Sequence, residues 1–416
     1  MKRILAMILV AVMALSLTAY AEEKIQVTVW HTFAKDQEAY INKAVEDFNA
    51  SQDKVVVEAL TQPYSGFLDS VYSAVNEGIG PDFIFNYASE AAKYDSSKLA
   101  DLSQYIYDEE IGIEGFDTAL IEGVMNGEVK AFANGLIPYL PAYTTGPILY
   151  YNKTLYAELG LEVPTTWEEM EANCKVIKEK KGVIGFGLDG LTDFIQMLIM
   201  ESPNSGYIDV ANKAVLFDTE EVRAKIAWAA DMVQKGYFSI KSSGDYFSVD
   251  FNSGIVASYM GSCAGYPYIE PDGFEFAMAP IPAQTWYPSW NRGPVVFYYG
   301  DDARAEGAYE FVKYFISADV NAGWVKAANA LAPYSWTKET DAYKAYIANT
   351  EDLGIQALMA VDANLGIAGS LPAVTGAAAI RDYLRAAIEK AASGDMTVDE
   401  AWTECVTLSN AALEGK

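Results

Sequence analysis

Ile25, Val27 and Val29 alternate with polar or amphipathic neighbours until the run breaks at Trp30-His31-Thr32, the period of a half-buried strand that ends in a loop. From Lys35 the period changes. Ile41, Ala44, Val45 and Phe48 fall at i, i+3, i+4 and i+7, which predicts a helix stopping near Asn49. A second strand is predicted over Val55 to Leu60. A second helix carries Phe67, Leu68, Val71, Tyr72 and Val75 up to Gly78, and the short apolar strand Phe83-Ile84-Phe85 follows Pro81-Asp82. The order β-α-β-α-β predicts a parallel sheet with right-handed crossovers, in which ligands bind beyond the carboxyl ends of the strands. That rule selects His31-Thr32, Tyr64 and the loop Asn86 to Glu90 as neighbours of one site.

The second half repeats this style without repeating the sequence. Ile148 to Tyr151 reads as a strand. Thr166-Trp167-Glu168-Glu169 has the spacing of a capping box, and Met170, Cys174 and Ile177 follow on one helical face as far as Gly182. Further helices are predicted from Asp218 to Gly236, over Ala308 to Ile316, from Ile380 to Gly394 and after Thr397-Val398-Asp399-Glu400. No Pro-rich, Ser-rich or charge-block linker divides the chain. Pro138 to Pro147, Pro280 to Pro282 and Leu331 to Pro333 mark three places where it could cross between halves.

The first residues are different in kind. Lys2 and Arg3 precede an apolar run from Ile4 to Leu17, and Ala19-Tyr20-Ala21 supplies small residues for cleavage, so residues 1–21 read as a secretory signal too short to span a membrane. Tyr20 stands where a lipoprotein signal would place cysteine. The product is therefore expected beyond the cytoplasmic membrane, periplasmic or at the extracellular face, without an acyl anchor.

Charge narrows the partners. The 416 residues include 57 Asp and Glu against 29 Lys and Arg, a formal charge of −28 that loss of the signal makes two units more negative. Such a composition argues against nucleic acid or an anionic membrane as partner. One histidine, His31, and three cysteines nearly exclude by count the common His/Cys zinc sites and His-based triads, and no cofactor or metal is expected. Cys174, Cys263 and Cys405 allow at most one internal disulfide, and Cys174 and Cys405 fall on apolar helix positions suited to buried thiols.

Several segments then resemble a family. Val29-Trp30-His31, Gly80-Pro81-Asp82-Phe83-Ile84, Gly146-Pro147-Ile148-Leu149-Tyr150-Tyr151-Asn152-Lys153 and Val163-Pro164-Thr165-Thr166-Trp167-Glu168-Glu169 are similar to segments of the extracellular solute-binding proteins of ABC sugar importers (family 1, maltose-binding-like). Phe251-Asn252-Ser253-Gly254 and Ala391-Ala392-Ser393-Gly394 before Thr397 continue the match in order. The resemblance implies an α/β, two-lobe periplasmic-binding-protein fold of type II with three crossover segments, each lobe a mixed, mostly parallel sheet flanked by helices. It implies lobes of residues 22–141 plus 279–331 and 142–278 plus 332–416, a cleft that closes like a hinge, a monomer, a small-molecule ligand and a membrane permease as partner.

Within that class the chain looks most like the glycerol-3-phosphate-binding branch. Thr144 and Thr145 stand where that branch has hydroxyl residues before its Tyr-Tyr-Asn-Lys strand, Tyr64 matches a tyrosine before the second helix, and Arg381 lies where the branch has a phosphate-binding arginine. Apart from the resemblance, Gly369-Ser370-Leu371-Pro372 leads into the helix that carries Arg381, and helix-start amides with a guanidinium suit an anion; the alternative is a solvated face near Asp382 or Arg385. The expected cleft is Tyr64, Thr144, Thr145, Ser262, Gly293 and Arg381, with Glu90 and Phe194, and with phosphate at Arg381, Thr145, Ser262 and the Gly293 amide. Arg292 is open as a second anion contact or a rim residue, and His31 as a donor or a structural residue. The clustered rings Trp286-Tyr287, Trp290 and Tyr298-Tyr299 suit a neutral or acidic sugar, the other solute weighed. A secreted carbohydrate-active enzyme needs two carboxylates about 5 to 9.5 Å apart. No motif selects such a pair, so no catalytic residues are expected.

Overall fold

The alternation at Ile25 builds strand β1 (Ile25–His31), which buries Val27 and Val29. A computed structural model describes residues 24–132, 135–241, 246–372 and 374–415; the signal expected over residues 1–21 lies outside them. In chain order the other strands are β2 (Val55–Thr61), β3 (Phe83–Asn86), β4 (Tyr143–Thr145), β5 (Pro147–Asn152), β6 (Ile184–Leu188), β7 (Ile208–Asp209), β8 (Ala214–Val215), β9 (Phe238–Ile240), β10 (Val256–Ser262), β11 (Phe276–Ala279), β12 (Tyr287–Pro288), β13 (Trp290–Val296) and β14 (Ala368–Gly369). They form two five-stranded sheets, β2-β1-β3-β13-β4 and β11-β5-β10-β6-β9, and the short pairs β12-β14 and β7-β8.

As the periodicity predicts, β1 runs parallel to β2 and β3. β13 then lies antiparallel to β3 and β4. In the second sheet β6 is parallel to β10 and β9, whereas β5 is antiparallel to β10 and β11. Both sheets are thus evenly mixed and the expected predominance of parallel pairing is absent, because strands at the crossings run against those joined by helices.

The helices follow the apolar stripes. Lys35–Ser51 buries Ile41, Ala44, Val45 and Phe48, and Phe67–Glu77 ends at Gly78, whose φ of 79° lets its amide reach back to the Val75 carbonyl. Thr397 and Glu400 form a reciprocal capping box. At the other predicted box the Thr166 hydroxyl accepts from Glu169 N–H, but the Glu169 carboxylate takes the amide and hydroxyl of Thr165 at 2.7 and 2.9 Å. The carboxylate's partner is therefore one residue earlier than the spacing predicts.

Two main cores result. One gathers Val29, Phe83, Phe85, Phe315 and Trp324; the other gathers Tyr150, Phe186, Phe194, Tyr259 and Trp402. Between Tyr143 and Ile148 the chain leaves the first for the second, and between Tyr287 and Val295 it returns. The expected assignment of everything from residue 332 to the second half is corrected here. Ala332, Tyr334 and Tyr343 pack in the first core, because the short helices Ser335–Lys338 and Asp341–Ile347 lie against the helix Ala318–Ala327.

All three cysteines are buried free thiols. Burial pushes Cys263 up to about 11 and Cys405 to about 12, so both stay protonated at neutral pH. Among the described residues no helix is long and apolar enough to cross a membrane.

Candidate ligand-binding cleft

Beyond the carboxyl end of β3, Tyr87 to Glu90 form one wall of a cleft of about 620 Å³. The facing wall comes from two helices of the other half, Leu191–Met200 with Asp193 and Gln196, and Ala377–Ser393 with Arg381 and Asp382. Trp286, Ser289 and Trp290 beside β12, the segment Gly369 to Pro372, and Glu128 complete it. A second opening of about 640 Å³ shares Trp286, Gly369 and Ser370. A Cβ at residue 369 would stand 2.3 Å from Trp286 Nε1, so the indole seats against bare backbone.

The charges of the cleft are largely matched. Lys93 lies 2.8 Å from Glu90, and Arg381 reaches Asp193 at 3.7 Å and Gln196 at 3.4 Å. Asp193 also accepts from the Trp290 indole at 3.3 Å, and Gln196 donates to the Tyr207 hydroxyl at 3.1 Å. One aromatic and one cation are thereby held on a single carboxylate. Glu128 is buried, and burial pushes its carboxyl up to about 7 against the opposing hydrogen bonds of Ser370, Asn291 and Tyr139.

Of the residues expected here, Glu90 and Arg381 line the cleft and the other six lie off its walls. Tyr64 is 85% exposed beyond β2. Thr144 is buried and donates to Asn291 Oδ1 at 2.7 Å, while Thr145 donates to the Trp290 carbonyl at 3.4 Å; pairing of β4 with β13 consumes both hydroxyls. Phe194 packs in the second core, its ring 4.9 Å from that of Trp167, on a helix buried along almost its whole length. The Ser262 hydroxyl accepts from the Ala264 amide and so caps its own turn. Gly293 is needed for the chain's own backbone: a Cβ there would lie 1.8 Å from the Leu140 carbonyl oxygen. Of the expected phosphate contacts, Arg381 alone lines this cleft; Thr145, Ser262 and Gly293 lie outside its lining.

The two open residues also find places. Arg292 lies behind the cleft loop, donating to the Phe85 carbonyl at 3.1 Å with its guanidinium over the Tyr87 ring. His31 is buried, accepts from the Phe33 amide and has its pKa lowered by burial, a structural setting. Sequence reasoning did not select Glu128, Asp193, Gln196 or Tyr207 as cleft residues. It did single out the rings Trp286 and Trp290 and the segment Gly369 to Pro372, all of which line the cleft, and nothing comparable marks Glu128.

Comparison with known proteins agrees with this architecture. A family model for bacterial extracellular solute-binding proteins matches residues 43–351. The chain belongs to that family. It is 24% identical over 358 residues to the sn-glycerol-3-phosphate-binding periplasmic protein UgpB of Yersinia pestis bv. Antiqua, covering 80% of each chain. Among solved structures, the cyclic alpha-maltosyl-1,6-maltose binding protein of Arthrobacter globiformis superposes with a TM-score of 0.80 at 23% identity, over 95% of this chain and 100% of that one. The sugar-binding protein MalE of Xanthomonas citri gives 0.75 at 20% identity, over 94% and 98%. The fold is that of periplasmic sugar-binding proteins.

Proposed function

We propose that the chain, as the solute-binding protein of an ABC importer, captures a neutral, hydroxyl-rich solute, an oligosaccharide or polyol, between two lobes that hinge about the three crossings, and hands it as a monomer to a membrane permease. The observation that carries this reading is the cleft's charge: both of its cations are already paired, while Glu128 and Asp382 add acceptors beside Trp286, Trp290 and Tyr87. Aromatic surface with a few convergent polar groups suits a pyranose, whose apolar face stacks while its hydroxyls find carboxylates. A thermal-shift panel of neutral mono- and oligosaccharides, uronic acids, glycerol-3-phosphate and glycerophosphocholine tests it. A solute at 100 times its dissociation constant stabilises by about 2.7 kcal/mol. Neutral sugars are expected to raise the melting temperature and to be recovered uncleaved; a shift by phosphates alone, or cleavage of a glycan, overturns the reading.

A second reading, glycerol-3-phosphate or its diester, is favoured by Arg381 on the cleft wall and by the similarity to UgpB. Arg381→Ala separates the two. For an anionic solute the lost charged hydrogen bond is expected to weaken binding at least about tenfold, about 1.4 kcal/mol. For a neutral oligosaccharide the change is expected to be only about threefold. Calorimetric titration of wild type and variant reads the difference, and unchanged binding of glycerol-3-phosphate removes the second reading.

A further inference from the structure

Glu128 is the one carboxyl of the cleft that is buried without a basic partner among the described residues. Beside the Ser370 and Asn291 side chains it meets Tyr139, whose hydroxyl lies 3.3 Å from Glu128 Oε2 but 2.7 Å from the Asn291 carbonyl oxygen. A hydroxyl has one proton, and the shorter contact takes it. Glu128 completes its bond to Tyr139 only by carrying a proton of its own. The neighbouring charged groups do not supply a countercharge: Glu90, on the short helix Ala88–Ala91, is bound to Lys93, and burial keeps Tyr139 neutral. Asp193 holds Arg381 across the cleft.

We infer that Glu128 reads the charge of the solute: it gives up its proton to accept a hydroxyl of a neutral solute, and it must keep that proton for an anionic solute to enter. The inference rests on the proposed reading of the cleft as a solute site. The sign follows from linkage. A neutral solute that favours the carboxylate releases a proton, so its affinity rises as pH passes through neutrality; an anion that favours the protonated form shows the opposite slope. Burial placing the carboxyl at about 7 sets that window.

The test is calorimetric titration of wild type and Glu128→Gln with maltotriose and with glucuronate, whose charge is constant over the range, at about pH 5.5 and about pH 8.5. In wild type, maltotriose is expected to bind roughly tenfold more tightly at the higher pH and to release about half a proton near pH 7, read from buffers of different ionisation enthalpy. Glu128→Gln keeps the size and hydrogen bonding but not the proton, and its affinity is expected to be flat with pH. A merely structural role would lower affinity equally at both pH values. Binding with the same slope in both proteins, or maltotriose binding by wild type without proton release, overturns the role of Glu128 alone. Failure of both probes to bind overturns the sugar reading of the cleft and this inference with it.

Discussion

Gly293→Ala is expected to destabilise the protein by at least about 3 kcal/mol, enough to remove a large part of a domain's stability. The added Cβ would stand 1.8 Å from the Leu140 carbonyl oxygen and 2.7 Å from the Ala142 nitrogen. Both are backbone atoms, so no side-chain rotamer relieves the overlap. The segment that must give way is tied to β13 on either side of the glycine, Leu140 N–H to the Pro294 carbonyl at 3.2 Å and Ala142 N–H to the Arg292 carbonyl at 2.8 Å. Relieving the clash therefore breaks sheet bonds beside a chain crossing. Urea denaturation followed by circular dichroism measures the loss; a change below about 1 kcal/mol would mean that the two segments separate freely.

Asp82→Ala is expected to cost about 3 kcal/mol, the lower end of the range for removing one partner of a buried ion pair. The carboxylate is buried, 2.7 Å from Arg304, and accepts from the Thr28 amide at 2.7 Å and its hydroxyl at 3.3 Å. It joins β1, the entry to β3 and the helix Asp302–Phe315. Arg304 is 37% exposed, so water takes up its charge once the aspartate is gone and the upper end of the range is not reached. Asp82→Asn keeps the acceptor for the Thr28 amide and is expected to cost about half as much. The same denaturation measurement ranks the two variants, and equal losses would assign the whole effect to the charge pair.

These sites also show what the sequence makes legible. The β-α-β-α-β start is written in local spacing: Ile41, Ala44, Val45 and Phe48 report their own burial, because a helix period needs no partner to be recognised. The rule that ligands bind beyond the carboxyl ends of parallel strands selected the loop Asn86 to Glu90, of which Tyr87 to Glu90 line the cleft, and also His31, Thr32 and Tyr64, which do not. Residue chemistry alone misleads where long-range pairing decides orientation. Thr144 and Thr145 carry hydroxyls that a ligand could use, but antiparallel pairing with β13 turns them to Asn291 and Trp290. Gly293 was expected to offer its amide to a ligand, and its missing side chain instead makes way for the Leu140 carbonyl. Phe194 and Asp193 are adjacent on one helix, and a single step of rotation puts the ring in the core and the carboxylate in the cleft. Glu128 escaped because Glu122–Val124 and Met125–Val129 form a short helical turn with a π-type second part, which has no apolar period long enough to show in sequence.

The placement of β13 has a consequence for the order of assembly. Val296 pairs with Phe83, so β3 keeps an open edge until a strand about two hundred residues later in the chain arrives. During synthesis from the N-terminus the first sheet stays incomplete through nearly the whole of the second, and loop-closure entropy must be met before that pairing forms. An N-terminal fragment ending before Trp290 would present an unpaired strand edge beside the apolar Phe83-Ile84-Phe85 run, the kind of surface that recruits other chains. The half that begins first is thus the half that finishes late, and it is the partly folded chain, before β13 pairs, that carries this open edge.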